Sequence, residues 1–247
     1  MRDDLYADPV LYDAVAPDDA GMAAFYTQGL GPGQQVLELA CGTGRFTLPL
    51  AASGASVMAG DLDAGMLDAA RRRLADAAQP AEFATLDMRD FDLGRRFERV
   101  VIAANSLLHL LETDDLLACL AAVRRHLAPG GELRFDVFVP SAALLAMPPG
   151  TRQPVGAGSF SSPLGPLTVT ESIRYDPVRQ VSTADWFWSL PDHPDFRTSR
   201  LVLRQIYPQE LPLLLERAGL VLVKRFGGFA GEPFGTGFRQ VCICRQS

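Results

Sequence analysis

The sequence has no run of lysine or arginine that could neutralise a row of phosphates, and across its 247 residues acidic side chains outnumber basic ones by 29 to 23. Nucleic acid is thereby disfavoured as a partner. No stretch approaches the ~20 apolar residues that span a bilayer, and the opening Met1-Arg2-Asp3-Asp4 leads into polar sequence. Neither membrane insertion nor secretion is expected, and the location read from this is cytoplasmic. Cysteines 41, 119, 242 and 244 show no Cys-x-x-Cys spacing, and histidines 109, 126 and 193 form no ligand cluster. No metal is expected, and the cysteines read as reduced core residues. Internal repeats and low-complexity tracts are also missing. What remains is an ordinary globular composition, 48% hydrophobic and 21% charged, sufficient for one sizeable core.

Residues 12–28 read as part of a helical cover over residues 1–30, ended by Gly31-Pro32-Gly33. From there to about residue 137 short apolar runs alternate with helical segments. Val36–Leu39, Ser56–Gly60, Ala81–Thr85, Arg99–Ala104 and Glu132–Val137 read as strands, with helices starting near Gly44, Asp63 and Thr113. Pro129-Gly130-Gly131 is expected to stop the third helix. Such alternation implies parallel strands joined by crossovers, with helices on both faces and ligands at the carboxyl ends of the strands. The pattern breaks near residue 139. Proline, glycine and serine dominate to residue 166, and then Leu167–Tyr175, Val181–Leu190 and Ser199–Ile206 alternate with period two, a small antiparallel sheet inserted over 139–206. A helix at Pro208–Ala218 and strands at Leu220–Phe226 and Gln240–Arg245 complete one α/β domain over 1–247. Its Rossmann-like sheet has seven strands, mostly parallel, with the last antiparallel.

Val36-Leu37-Glu38-Leu39-Ala40-Cys41-Gly42-Thr43-Gly44-Arg45 runs from a strand through a glycine turn into a helix, where backbone N–H groups can approach a ligand closely. A dinucleotide loop, G-x-G-x-x-G, would place its third glycine where Thr47 stands, which weighs against a nicotinamide-dependent oxidoreductase, the rival of a different class. The segment resembles motif I of class I S-adenosylmethionine-dependent methyltransferases, E-x-G-x-G-x-G, with Ala40 in the first glycine position. Gly60-Asp61-Leu62-Asp63-Ala64-Gly65-Met66-Leu67 resembles the family's G-x-D-x-S-x-x-M-L run, Leu86-Asp87-Met88-Arg89-Asp90-Phe91 its D-M-R-x-F segment, and Leu127-Ala128-Pro129-Gly130-Gly131 its L-x-P-G-G turn.

The resemblance implies S-adenosylmethionine as cofactor and S-adenosylhomocysteine as product. Glu38 then orients the loop and the ligand's ammonium, and Ala40, Cys41, Gly42, Thr43, Gly44 and Arg45 line its methionine part. Asp61 takes the ribose hydroxyls, Leu62 and Met66 flank the adenine, and Asp87 with Met88 and Arg89 meets its edge. Ala104, Asn105 and Ser106 close over the sulfonium. Asn105-Ser106-Leu107-Leu108 is not the Asn-Pro-Pro-Tyr motif of base- and glutamine-modifying members, so those acceptors are disfavoured. Tyr12 resembles a tyrosine that covers the methionine end.

Methyl transfer is an in-line displacement in which alignment is the main contribution, worth ~7–11 kcal/mol. His109 is the one candidate base, although a lone histidine in apolar sequence is more often packed. Trp186 and Trp188 share one face of a strand, and with Tyr12, Asn105, Tyr207 and Phe229 they are the candidate acceptor contacts. Aromatic walls favour a flat acceptor. The whole pattern looks similar to small-molecule N-methyltransferases of natural-product pathways, which implies transfer to a nitrogen of a small planar heterocycle. An O-methyltransferase acting on a small aromatic metabolite is the alternative, and the assembly expected is a monomer or homodimer.

Overall fold

The computed structural model describes residues 3–16 and 20–247, which form two compact units. In chain order the elements are β1 (Asp3–Asp4), α1 (Pro9–Val15), α2 (Ala20–Thr27), β2 (Gln35–Leu39), α3 (Thr47–Ala52), β3 (Ser56–Asp61), α4 (Ala64–Asp76), β4 (Glu82–Thr85), β5 (Phe97–Ile102), α5 (Thr113–His126) and β6 (Leu127–Phe138). There follow α6 (Ala142–Leu145), β7 (Gln153–Ser162), β8 (Gly165–Asp176), β9 (Val181–Leu190), β10 (His193–Arg204), α7 (Glu210–Arg217), β11 (Leu220–Phe226) and β12 (Arg239–Gln246).

One unit holds residues 20–139 and Ile206–Ser247. Its sheet has the order β11-β12-β6-β5-β2-β3-β4. β2 pairs in parallel with β3 and β5, β3 with β4, and β5 with β6, while β12 runs antiparallel to both β6 and β11. β2 and β5 are central, and apolar residues on both faces of each are buried, as in a sheet covered on both sides. Val36, Leu37, Leu39, Val100, Val101 and Ile102 are fully buried. α4 starts where expected: Asp63 is extended and its Oδ1 accepts from Met66 N at 2.9 Å, a side-chain cap. Its apolar stripe, Met66, Leu67, Ala70 and Leu74, is buried.

The other unit holds residues 3–16 and Pro140–Gln205. Its sheet has the order β1-β10-β9-β8-β7, antiparallel except that β1 lies parallel to β10. Asp176 makes the β8–β9 turn by accepting from Val178 N and Arg179 N at 2.9 and 3.1 Å. Leu5, Leu11, Val15, Leu167, Val169 and Trp188 form its core.

Several details depart from the sequence reading: Asp3–Asp4, expected in the helical cover, pair with β10 as a strand, and β10 begins at His193 rather than Ser199. The helix expected over 12–28 is two helices, α1 and α2, with 17–19 outside the described residues. The helix expected near Gly44 becomes regular only at Thr47, because residues 43–46 are turns shaped by left-handed glycines. Pro129-Gly130-Gly131 lies within β6 as a register shift against β5, where a side chain at 131 would meet the Phe97 carbonyl at 2.9 Å. The inserted sheet gains β7 from the proline- and glycine-rich stretch, with a shift between Pro154 and Ser159.

Candidate functional site

β2 delivers Glu38 into the protein interior, 1% exposed, where its Oε2 accepts from the Thr47 hydroxyl at 2.5 Å. Burial is the main reason that this carboxyl is pushed up to about 8, and Asp61 adds to the rise while Thr47 and Arg45 oppose it. The residue that replaces the dinucleotide loop's third glycine is therefore the one that holds Glu38. Beyond it Ala40, Gly42 and Gly44 all have left-handed backbones, with φ of 54°, 56° and 79°. Alternating left-handed residues fold the loop into a tight crook, tied to the end of β3 by Cys41 N donating to Gly60 O at 3.0 Å. At Gly44 an added Cβ would lie 3.0 Å from Ala70 Cβ, so its bareness lets α4 pack against the loop. Thr43 is buried, Cys41 is buried with its thiol pushed up by desolvation, and the Arg45 guanidinium lies 5.1 Å from the Phe46 ring centroid.

Asp61 ends β3 beside this crook. Its Oδ2 accepts from Gly42 N at 2.7 Å and its Oδ1 from Asp63 N at 2.9 Å, and burial raises its pKa. A carboxylate offers about four acceptor positions, so room for two hydroxyl donors remains. Leu62, next in the chain, is 66% exposed, a bare apolar surface suited to a flat base. Met66 does not share that surface: it is 1% exposed and packs in the α4 core, because its backbone is the one capped by Asp63. The Asp87 carboxylate is gripped by Arg89, whose Nη2 and Nε donate at 2.6 and 3.0 Å and hold its pKa down. An adenine amino group would share that carboxylate with Arg89. Met88 is half-buried beside it.

After β5 the backbone turns through Ala104 and Asn105, both left-handed with φ of 55° and 64°, and Ser106 N donates to Ala103 O at 3.1 Å. Two side-chain bonds pin this turn. Ala104 N donates to Asp136 Oδ1 at 2.7 Å, and Phe138 N donates to Asn105 Oδ1 at 2.8 Å. Asp136 is fully buried in β6 and also accepts from the Tyr26 hydroxyl at 2.5 Å and from Arg239 Nη1 at 3.0 Å. Sequence reasoning missed Asp136 and Tyr26. The available signal was an aspartate between Phe135 and Val137 within a strand, where only a committed polar partner makes a buried charge tolerable. His109 follows in a short 3₁₀ turn, half-buried between Leu108 and Leu110.

The expected acceptor contacts fall in both units. Tyr207 heads α7, its carbonyl accepting from Glu210 N and Leu211 N. Phe229 packs edge-on against Phe25 and Tyr26 with ring centroids 5.9 and 6.2 Å away. In the other unit Tyr12 meets Tyr6 at 5.5 Å, and Trp186 meets Trp188 at 5.9 Å, on the same face of β9 as expected. Trp188 is 1% exposed and donates Nε1–H to Ser199 Oγ at 2.8 Å, which makes it a core residue of the small sheet. Trp186 is half-buried. Among the described residues no group of His, Cys, Asp and Glu could hold a metal ion, and no helix is long and apolar enough to cross a membrane.

Residues 36–131 match a family model described as a methyltransferase domain, a span that contains every loop of the crook, the ribose acid and the Ala104 turn. The cypemycin N-terminal methyltransferase of a Streptomyces species is 27% identical over 257 residues, covering 96% of this chain and 98% of that protein. Among solved structures, the CcbJ methyltransferase from Streptomyces caelestis superposes with a TM-score of 0.83 at 28% identity, covering 99% of this chain and 98% of that one. The glycopeptide N-methyltransferase MtfA, solved with S-adenosylmethionine, gives 0.62 at 25% identity, covering 93% and 95% of the two chains. Other curated methyltransferases match through only 42% of their own length.

Proposed function

Because this chain is an S-adenosylmethionine-dependent methyltransferase, we propose that it transfers the methyl group to a nitrogen of a small natural-product metabolite. The observation that carries nitrogen is the match to an N-terminal methyltransferase over 96% of the chain, which runs through both units and not only the cofactor loops. The relative solved with the cofactor is likewise named for nitrogen.

When bound, the cofactor supplies an electrophilic methyl on a positively charged sulfur. In this reading Glu38 receives the ligand's ammonium, the crook from Ala40 to Arg45 holds its methionine part, and Asp61 takes the ribose hydroxyls. Leu62, Asp87 and Met88 meet the adenine, and the turn at Ala104, Asn105 and Ser106 faces the sulfonium. An amine carries its own lone pair, so alignment rather than a strong base is the requirement. His109 is then unneeded as a base. A planar heterocycle on the acceptor is supported by the half-buried Trp186 ring and no longer by Trp188.

The test is to incubate the protein with methyl-labelled cofactor and a panel of amine- and phenol-bearing heterocycles, then locate the label by mass spectrometry. Label on nitrogen is the expected result. Label confined to oxygen would overturn the proposal.

A further inference from the structure

Along β8, Leu167, Val169 and Glu171 point to one face of the five-stranded sheet, the face that carries its core. Leu167 and Val169 are fully buried. A carboxylate thus stands where the alternation calls for a third apolar side chain. Cross-strand register sets Val169 opposite Trp188, Glu171 opposite Trp186, and Gln153 opposite Glu171. Two donors orient the acid: Gln153 Nε2 gives to Oε1 at 3.0 Å and Trp186 Nε1 to Oε2 at 3.1 Å. Both are neutral.

The contrast with the other face is direct. There Asp185 is bonded by Arg174 Nη1 at 2.9 Å and by Arg200 Nε at 2.7 Å, whereas Glu171 makes no ion pair among the described residues. Desolvation accordingly raises the Glu171 carboxyl above its usual range, a cost that an incoming cation would remove. A partly buried acid without a cation, aimed by two neutral donors and flanked by an indole ring, has the chemistry of a receptor for ammonium groups.

We propose that Glu171, oriented by Gln153 and Trp186, is a binding site for a protonated organic amine, with the Trp186 ring alongside the cation. The nitrogen bound here keeps its proton and is therefore not the one methylated, which must offer a free lone pair. The site explains why a carboxylate stands next to Leu167 and Val169, while the arginine on the same face, Arg197, is paired with Asp8.

The probes are phenethylamine, its neutral counterpart 2-phenylethanol and its acidic counterpart 3-phenylpropionate, titrated calorimetrically into the full chain with S-adenosylhomocysteine present. The amine is expected to bind at least about tenfold tighter than the alcohol, and the acid most weakly, in line with one charge-assisted bond. Glu171→Gln is expected to bind amine and alcohol alike, with an unchanged near-ultraviolet circular dichroism signal from Trp186 and Trp188, both in this sheet, reporting that it is folded. Trp186→Phe, which removes one orienting donor, is expected to narrow the preference. An amine that binds the native chain no tighter than the alcohol overturns the site, and so does a preference left undiminished by either substitution. The nitrogen reading fails separately, on finding the transferred methyl on oxygen, whatever the amine preference.

Discussion

Ala40 occupies a left-handed backbone, φ 54°, that glycine enters freely and alanine enters at a cost of about 1 kcal/mol or more. The loop keeps its crook in spite of the methyl. Ala40→Gly is therefore expected to stabilise the chain by about 1 kcal/mol, seen as a rise of a few degrees in Tm. A fall in Tm would mean that the methyl is needed for packing. Glu38 gives a pH-dependent counterpart. Its folded-state pKa of about 8 lies above the ordinary value, so its contribution to stability is complete below about pH 4 and is lost as pH rises through 8. Urea unfolding of the cofactor-free protein at pH 5 and pH 8 should show Glu38→Gln gaining on the native chain at the higher pH. A cofactor ammonium that meets ionised Glu38 should also displace a proton in that window. Calorimetry in buffers of different ionisation enthalpy reads this release.

At the scale of elements, Tyr26 on α2, Asp136 on β6 and Arg239 on β12 meet at one carboxylate that also fixes the turn after β5. Tyr26→Phe removes one donor from a fully buried acid and is expected to cost about 1–3 kcal/mol by urea unfolding. It should also weaken S-adenosylmethionine binding, because Ala104 shares that carboxylate oxygen. Unchanged affinity would separate the node from the ligand. Elements whose pattern is local were legible in the sequence: β3, α4 with its Asp63 cap and β11 lie within a residue of where periodicity put them. β7 was not, since Pro154, Gly156 and Gly158 interrupt its alternation and its partner β8 supplies the order. The positions of Glu38 and Asp61 near the carboxyl ends of β2 and β3 were legible from the alternation of strands and helices. Met66, Trp188 and Asp136 were not, because which side of an element faces the core is decided by packing rather than by spacing.

At the scale of the molecule, every proposed cofactor contact except Tyr12 lies in the unit of 20–139 and Ile206–Ser247. Within it the chain leaves and returns at one corner: Gln240 pairs with Val137 and donates to the Ile206 carbonyl at 3.1 Å. Replacing Pro140–Gln205 by a short glycine bridge is therefore expected to preserve S-adenosylmethionine binding within about tenfold and to abolish transfer to the acceptor. Loss of cofactor binding, measured calorimetrically, would show that the small sheet or Tyr12 supports the ligand after all. The sheet order has one more outcome. β12 is wedged between β6 and β11, yet it is the last of the three to be synthesised. While a ribosome is still making residues 139–238, β6 presents an unpaired edge, so the nascent protein is open to strand-pairing with other chains until residue 246 emerges. Chaperone dependence during expression should accordingly track the delay before β12 appears.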